Sequence, residues 1–198
     1  IKELFLKNIK NSNELSNLID KYLIPQELEK KNNAEVPTPR ELRQEMLDKI
    51  PVEFWTNVNK VFEPCSGKGG FVIDIIDRFM DGLKDKISEE KERYKTIVED
   101  CLYFSDINPT NIFINKLLVD PHVEYKINYN EGNTLELDIF KKWNINGFDA
   151  VIGNPPYTKS KENIKGQGGR NLWIMFCKKA INEWLKHNGL LLFVHPPI

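Results

Sequence analysis

Four consecutive residues, Asn154-Pro155-Pro156-Tyr157, combine groups that suit the binding of a planar amine. They follow an apolar run at 148 to 152 that predicts a buried strand, which a glycine and the two prolines bring to an end. Because proline has no backbone donor and a fixed φ, this stiff turn offers only acceptors, the Asn154 side-chain oxygen and the Pro155 carbonyl. With the Tyr157 ring alongside, the turn suits adenine or a primary amide. The alternative is an ordinary strand-ending turn.

A glycine-rich segment joins a predicted strand at 60 to 65 to a predicted helix at 70 to 81. It reads Val61-Phe62-Glu63-Pro64-Cys65-Ser66-Gly67-Lys68-Gly69-Gly70-Phe71. Glycines at such a turn let backbone amides approach a ligand closely. A triphosphate-binding loop is excluded, because Phe62 and Gly69 replace the glycine and the hydroxyl residue that it requires. Glu63 suits an ammonium group, so the segment is either a ligand site or a tight turn without a ligand.

Polar residues also follow the next two predicted strands. Asp106, followed by Ile107, ends a strand at 101 to 106. An acid in this place can accept hydrogen bonds from ribose hydroxyls, as in dinucleotide-binding folds, although Asp106 is also a candidate helix cap. The loop Glu131-Gly132-Asn133-Thr134-Leu135 follows a strand at 123 to 129. This loop either holds an adenine ring by its exocyclic amine or is a plain turn.

The elements that position these residues alternate along the chain. Strands are predicted at 60 to 65, 101 to 106, 123 to 129, 148 to 153 and 190 to 195. Helices are predicted at 39 to 49, 70 to 81, 88 to 99, 109 to 119 and 171 to 187, with Asn108 as a cap. This alternation predicts an α/β fold, a mainly parallel sheet with helices on both faces. Residues 1 to 36 are predicted to form a helical extension, with a helix capped by Asn13 and ended by Pro25, and residues 37 to 198 the catalytic domain.

Composition limits the classes of function. A chain of 198 residues can bury one substantial core. Lys and Arg total 28 against 29 for Asp and Glu, so the net charge of −1 gives no global attraction to nucleic acid, and any such surface must be local. Three widely spaced cysteines without a CxxC argue against a metal site and fit a reducing compartment. No signal peptide or membrane-spanning run is recognisable in the sequence, so no membrane partner is expected.

Together these motifs resemble the S-adenosylmethionine-dependent amino-methyltransferases, and most closely the adenine-specific DNA methyltransferases of restriction-modification systems. The resemblance covers residues 36 to 197 and includes Thr38-Pro39 before the sheet. It implies a Rossmann-like methyltransferase fold, S-adenosyl-L-methionine as cofactor, and methyl transfer to the exocyclic amine of adenine. Protein-glutamine and some RNA methyltransferases share the tetrapeptide, so those substrates, or a non-catalytic cofactor-binding subunit, remain as alternatives.

The resemblance also implies a role for each matching residue. The catalytic residues are expected to be Asn154, Pro155, Pro156 and Tyr157. Cofactor contacts are expected from Thr38, Pro39, Glu63, Pro64, Gly67, Gly69, Phe71, Asp106, Ile107, Asn133, Thr134 and Asn154. Among these, Thr38 is expected near the cofactor carboxylate, Glu63 near the methionine end and Asp106 near the ribose. Asn133 departs from the Asp that the family usually has beside the cofactor adenine, and it leaves only an amide oxygen for that contact.

The order of the motifs resembles the gamma arrangement of the family, whose target-recognition domain lies carboxy-terminal. The resemblance therefore implies duplex DNA with a flipped adenine as substrate. It also implies a target-recognition domain or subunit and a restriction endonuclease as partners, in the cytoplasm of a prokaryotic or viral system. The family sheet ends in an antiparallel hairpin, whereas this chain stops at Ile198 after the last predicted strand. We therefore expect a piece of a longer protein, with that hairpin missing.

A cationic stretch directly follows the tetrapeptide. Residues 158 to 170 hold four basic residues, Lys159, Lys161, Lys165 and Arg170, against the single acid Glu162. Such a loop beside the predicted catalytic turn could contact DNA phosphates. The alternative is a solvated surface loop.

Overall fold

Five parallel strands form one sheet in the computed structural model, which describes residues 12–23, 36–157 and 171–195. The strands are β1 (Val61–Glu63), β2 (Leu102–Asp106), β3 (Asn128–Glu131), β4 (Phe148–Gly153) and β5 (Leu185–Phe193). Their order across the sheet is β3-β2-β1-β4-β5, and each neighbouring pair is parallel. The order reverses direction between β1 and β4. In open α/β sheets, ligands bind at such a switch point, outside the carboxyl ends of the strands.

Eight α-helices lie within the described residues. They are α1 (Ser12–Tyr22), α2 (Arg40–Leu47), α3 (Val52–Trp55), α4 (Gly70–Gly82), α5 (Glu90–Thr96), α6 (Pro109–Val119), α7 (Ile139–Trp143) and α8 (Leu172–Lys179). π-helical turns continue α5 and α8, at Ile97–Cys101 and Ala180–Trp184. None of the helices in this part of the chain is long and apolar enough to cross a membrane.

Helices cover both faces of the sheet, as the alternating pattern predicts. Successive side chains of a strand point to opposite faces. Val61 accordingly lies in a core that α1, α4 and α6 share, whereas Phe62 lies in a second core with Phe176 and Trp184. The predicted α/β architecture is therefore confirmed, and it brings the ends of β1, β2 and β4 to one edge.

The predicted helix in the amino-terminal extension is present, with a different start. α1 begins at Ser12, so Asn13 lies inside the helix and is not its cap, whereas the predicted end at Pro25 lies outside the described residues. α1 packs against α4, and its Leu15 and Ile19 belong to the same hydrophobic core as Val61. The division at residue 36 into an extension and a catalytic domain stays a prediction.

Three predicted boundaries are wrong. The strand predicted at 123 to 129 begins only at Asn128, because residues 120 to 125 form a turn in which the Asp120 carboxylate accepts hydrogen bonds from the Glu124 and Tyr125 amides. The helix predicted at 171 to 187 ends earlier, because Trp184 is fully buried and Leu185 already pairs with Phe148 of β4. The strand predicted at 190 to 195 is wrong at its start for the same reason, since β5 already begins at Leu185. The remaining predicted elements lie within a few residues of their expected places. The predicted cap is also confirmed, since the Asn108 side chain accepts a hydrogen bond from the Thr110 amide.

Candidate active site

The carboxyl ends of β1 and β4 meet at Glu63 and Gly153. A Cβ on Gly153 would collide with Oε1 of Glu63, so the absence of a side chain there leaves room for the carboxylate. The same Oε1 accepts a hydrogen bond of 3.0 Å from the Cys65 amide. Glu63 is 1% exposed and forms no ion pair with any described residue. At the switch point of the sheet, this acid is thus accompanied by no cation from the described parts of the chain.

Burial shifts the pKa of this acid. Loss of hydration raises the pKa of Glu63 well above its usual value, and nearby Asp106 adds to the rise, while the hydrogen bond from Cys65 lowers it. A buried carboxylate without a counterion is costly, and a cation beside it would favour the charged form. Glu63 is therefore suited to a cationic group of a ligand, as the sequence predicts.

The glycine turn after β1 is fixed by the acid that ends β2. Oδ2 of Asp106 accepts a hydrogen bond of 2.8 Å from the Gly67 amide, and Oδ1 accepts one of 2.8 Å from the Asn108 amide. Gly67 and Gly69 have positive φ angles of 49° and 92°, which glycine adopts without strain. The cap of α6 is Asn108, so Asp106 is a link between two loops and not the helix cap.

Asp106 is buried, and this burial raises its pKa above the usual value despite hydrogen bonds from Asn108 and Gly67. The next residue, Ile107, is 61% exposed and offers apolar surface directly beside the acid. An acid next to an exposed apolar side chain suits a ligand that carries both hydroxyl groups and a planar ring. The contact of Asp106 and Ile107 with a cofactor stays a prediction.

Thr134 lies below this edge of the sheet. It is buried, its hydroxyl donates to the Pro64 carbonyl at 2.9 Å, and it lies 2.7 Å from the Ser105 hydroxyl. Its side chain thus links the loop after β3 to the ends of β1 and β2. Asn133 is exposed, and its amide is engaged locally, accepting from the Leu135 amide and donating to Glu136. A surface cavity of about 340 Å³ lies beside it, with Asn130, Gly132 and Lys141 in its lining.

Asn154 lies directly after β4, and only the nitrogen of its side-chain amide is hydrogen-bonded to a described residue. Nδ2 donates to the Val36 carbonyl at 3.1 Å, whereas Oδ1 is shielded from solvent and has no hydrogen-bond partner among the described residues. Because a carbonyl only accepts, the contact with Val36 determines which amide atom is the nitrogen. Asn154 therefore presents an unsatisfied acceptor at the end of β4.

The remaining residues of the tetrapeptide complete the turn. Pro155 is buried, and Pro156 and Tyr157 are half-buried. The Tyr157 carbonyl accepts a hydrogen bond from the Leu172 amide at 2.9 Å, which ties the turn to the start of α8. The predicted cationic stretch at 158 to 170 lies outside the described residues.

An ion pair that the motifs do not indicate holds Thr38. Arg43 is buried, and its Nη1 donates to the Thr38 carbonyl at 2.5 Å while its Nε binds Oδ2 of Asp74 at 2.6 Å. The sequence does carry a signal for it, because Asp74 interrupts the otherwise apolar run at 71 to 76 and Arg43 precedes the buried Leu47 by one helical turn.

Hydrogen bonds thus connect several of the predicted cofactor residues along one edge of the sheet, Gly67 with Asp106 and Pro64 with Thr134. Two candidates lie apart from it. Phe71 is buried in the hydrophobic core, and Pro39 is exposed in the N-cap position of α2. Within the described ranges there is no cluster of three or more His, Cys, Asp or Glu that could hold a metal ion.

Two curated proteins of related sequence are similar to this chain. A protein named modification methylase CviBIII, from Paramecium bursaria Chlorella virus NC1A, is 37% identical over 62 residues, which are 29% of this chain and 16% of that protein. A protein from Mycoplasma pneumoniae, named as an uncharacterized adenine-specific methylase, is 28% identical over 172 residues, or 82% of this chain and 40% of the relative. The chain therefore spans well under half the length of these two curated relatives.

A solved structure shares the fold. It is a protein from Listeria monocytogenes described as a class I S-adenosylmethionine-dependent methyltransferase. Its identity to this chain is 13% and the TM-score is 0.56, and the alignment covers 93% of this chain and 55% of that one. The fold is therefore the Rossmann-like methyltransferase fold. The family model described as Eco57I restriction-modification methylase matches residues 4–197. This chain belongs to the Eco57I restriction-modification methylase family.

Proposed function

We propose that this chain is the catalytic part of a DNA methyltransferase that transfers a methyl group from S-adenosyl-L-methionine to the exocyclic amine of adenine. The observation that carries the proposal is the unsatisfied Oδ1 of Asn154 at the end of β4. A shielded acceptor without a partner costs about 1–3 kcal/mol, which a donor from the substrate would offset. An exocyclic NH2 group is such a donor.

The chemistry of an aryl amine explains why such an acceptor would accelerate the reaction. The nitrogen lone pair is delocalised into the ring, so the amine is a poor nucleophile. Hydrogen bonds to Asn154 Oδ1 and to the Pro155 carbonyl would favour a pyramidal nitrogen and stabilise the positive charge that develops on it. Orientation of two bound reactants can contribute about 7 to 11 kcal/mol. Tyr157 is the candidate for stacking on the base.

The cofactor proposal rests on chemical fit. S-adenosyl-L-methionine carries an ammonium group and a sulfonium, and when bound it supplies an electrophilic methyl group. Glu63 would hold the ammonium group, since it is a buried acid without a cation among the described residues. Asp106 would accept hydrogen bonds from the ribose, and exposed Ile107 would pack against the adenine. Asn133 is the nearest candidate for the adenine amine.

DNA is the proposed substrate because of the family and the name of the Mycoplasma relative. A base in a duplex must be flipped out at a cost of a few kcal/mol, and stacking on Tyr157 would offset part of it. The cationic residues from Lys159 to Arg170 would contact phosphates. A target-recognition domain or subunit, placed carboxy-terminal in a gamma-like order, and a restriction endonuclease are the proposed partners.

Methyl transfer from labelled S-adenosylmethionine tests the proposal directly. Duplex DNA, RNA and a release factor with a glutamine acceptor would be offered separately, and the DNA digested to nucleosides. With the natural chain we expect label in N6-methyladenine. With the Asn154→Ala variant we expect no label there. The protein would be supplied with the carboxy-terminal region of a relative where the chain alone is inactive. Label in the release factor or in RNA alone would overturn DNA as the substrate, and absence of label in all three would overturn catalysis.

A further inference from the structure

A buried arginine joins two segments that meet at the candidate site. Nε of Arg43 binds Asp74 Oδ2 at 2.6 Å, and Nη1 of the same guanidinium donates to the Thr38 carbonyl at 2.5 Å. The side chains of Arg43 and Asp74 are only 3% and 4% exposed. The ion pair therefore connects α4, through α2, to the segment that precedes α2.

The contribution of this ion pair to stability does not explain its location. The guanidinium lies against the first residue of α4, since a Cβ on Gly70 would come within 2.8 Å of it. A cation at the amino end of a helix opposes the helix dipole, and burying two charges costs several kcal/mol per ion before pairing. Apolar residues of similar size often replace such pairs without loss of stability. The pair therefore calls for a role other than packing.

Arginine can hold two acceptors in fixed directions, which lysine cannot. Its planar guanidinium presents its N–H groups in a rigid fork, and here one edge faces Asp74 while another faces the Thr38 carbonyl. Thr38 stands between Pro37 and Pro39, whose φ angles are fixed by their rings. Because this backbone is stiff, the hydrogen bond that holds the Thr38 carbonyl also limits the position of Val36.

Val36 is the partner of the catalytic candidate. Its carbonyl accepts the Nδ2–H of Asn154, and this contact determines that Oδ1 is the amide atom without a partner among the residues that the structure describes. A displaced Val36 carbonyl would let the amide rotate and present either atom. The path from Asp74 to Asn154 runs through hydrogen bonds between Asp74 and Arg43, between Arg43 and Thr38 and between Val36 and Asn154, with Pro37 joining Thr38 to Val36 along the chain.

We propose that Arg43, held by Asp74, is a positioning residue that fixes the Val36 carbonyl and thereby orients the Asn154 amide with Oδ1 toward the substrate. The first part of this inference, the orientation of the Asn154 amide, is argued from the contacts alone and is its structural half. The second part, the effect on methyl transfer, rests on the proposed function. Arg43 acts through Thr38 and Val36 and contacts no reacting atom.

The first experiment observes the Asn154 amide itself. In ¹⁵N-labelled protein, its side-chain resonances are assigned by their absence in Asn154→Ala. The double variant Arg43→Met/Asp74→Leu removes both charges together and keeps apolar volume, so it should fold. We expect the two amide protons to move toward the shifts of a solvated asparagine and to exchange with water about tenfold faster, as for the loss of one hydrogen bond. Unchanged resonances in the folded variant would overturn the inference.

The matched control is Arg78, which also joins α4 to α2. Its guanidinium binds Asp48 at 2.7 Å and the Gln44 side chain at 2.7 Å, away from Thr38. Arg78→Met should leave the Asn154 resonances in place. An equal shift in this control would show a general effect of loosened helix packing and would overturn the specific role of Arg43.

The second experiment measures turnover at saturating cofactor, with active protein counted by cofactor-binding stoichiometry. We expect kcat per bound cofactor to fall about tenfold in Arg43→Met/Asp74→Leu and to stay within twofold in Arg78→Met. If the Asn154 amide loses its hydrogen bond to Val36 in the double variant and kcat does not change, Arg43 has no role in methyl transfer. If the Asn154 amide is ordered in the natural chain but no substrate is methylated, the proposed function is contradicted. The structural half of the inference would remain supported.

Discussion

The amide of Gly67 donates its hydrogen to Oδ2 of Asp106 over 2.8 Å, so the acid that ends β2 fixes the turn that follows β1. The other carboxylate oxygen holds the amide of Asn108, at the start of α6. One buried acid therefore fixes two loops at the edge where a nucleoside would bind. Its removal should alter both the loops and the proposed ribose contact.

Asp106→Ala should weaken the binding of S-adenosylmethionine about 10- to 100-fold, because hydrogen bonds to a charged group contribute about 1.5–3 kcal/mol. Titration calorimetry measures the affinity. Asp106→Asn keeps an acceptor oxygen but removes the charge, so its affinity should lie between those of the natural chain and Asp106→Ala. An affinity of Asp106→Ala equal to that of the natural chain would show that the nucleoside binds elsewhere.

Asn154→Ala and Tyr157→Ala should lose methyl transfer and retain the cofactor. Loss of a preorganised group at the reacting centre lowers kcat by about 10²- to 10³-fold, whereas both residues are proposed to face the substrate and not the methionine end. Cofactor affinity should stay within a few-fold. Transfer and binding are measured on the same preparations. If binding falls as steeply as transfer, the two residues belong to the cofactor site.

Gly153→Ala should disturb Glu63, because the added methyl group collides with its carboxylate. Overpacking of this kind costs about 1–3 kcal/mol, and the displaced acid should also bind the cofactor more weakly. Thermal unfolding and calorimetry measure the two effects. Adding Glu63→Asp, which shortens the acid, should recover stability but not affinity. If the single variant Gly153→Ala is as stable as the natural chain, Gly153 does not lie against the Glu63 carboxylate.

The raised pKa of Glu63 predicts a pH dependence with a definite sign. In the free protein, this acid keeps its proton to a higher pH than in the unfolded chain, so its contribution to stability is complete below the unfolded pKa and is lost as pH rises through the folded pKa. A cationic cofactor favours the charged acid. Cofactor affinity should therefore increase from mildly acidic pH toward neutrality, with release of a proton on binding.

Calorimetry in buffers of different ionisation enthalpy counts that proton. Glu63→Gln cannot ionise, so it should bind weakly and release fewer protons than the natural chain. The α-amino group of the ligand, with a pKa of about 7.7–8.0, stays largely protonated below about pH 7, so its own titration does not alter the measured pH dependence in that range. An affinity that falls between mildly acidic and neutral pH would exclude Glu63 as the partner of the ammonium group.

Thr134→Val should destabilise the fold by about 1–3 kcal/mol, because the isosteric side chain leaves the buried Pro64 carbonyl without its donor. Chemical denaturation measures the free energy of unfolding. Thr110→Val, at an exposed position in α6, is the control and should change that free energy by much less. Similar values for the two variants would mean that the Thr134 hydroxyl contributes no net stability.

Much of the sheet is predictable because its signals are local. β1, β2 and β4 are short apolar runs that end at polar residues, and the cap of α6 is visible as Asn108-Pro109. Since parallel strands end at one edge, the predicted juxtaposition of Glu63, Asp106 and Asn154 follows from the strand positions alone.

What could not be predicted depends on contacts between distant segments. β3 reads Asn-Tyr-Asn-Glu and is only partly buried, so its strand state comes from pairing with β2 and not from an apolar pattern. The Arg43–Asp74 ion pair joins residues 31 positions apart. Phe71 follows the glycine turn in sequence, yet the first turn of α4 directs it into the core.

The packing of α1 on α4 has a thermodynamic consequence for the whole chain. Leu15, Leu18 and Ile19 are each less than 8% exposed. Burying a side chain of this size contributes about 1.5–3 kcal/mol, so these three together contribute roughly 5–9 kcal/mol as an upper estimate. This sum is comparable to the total stability of an ordinary domain, about 5–15 kcal/mol. Residues before the sheet and the sheet itself should therefore melt in a single cooperative transition, and a protease that removes α1 should leave a product prone to aggregate.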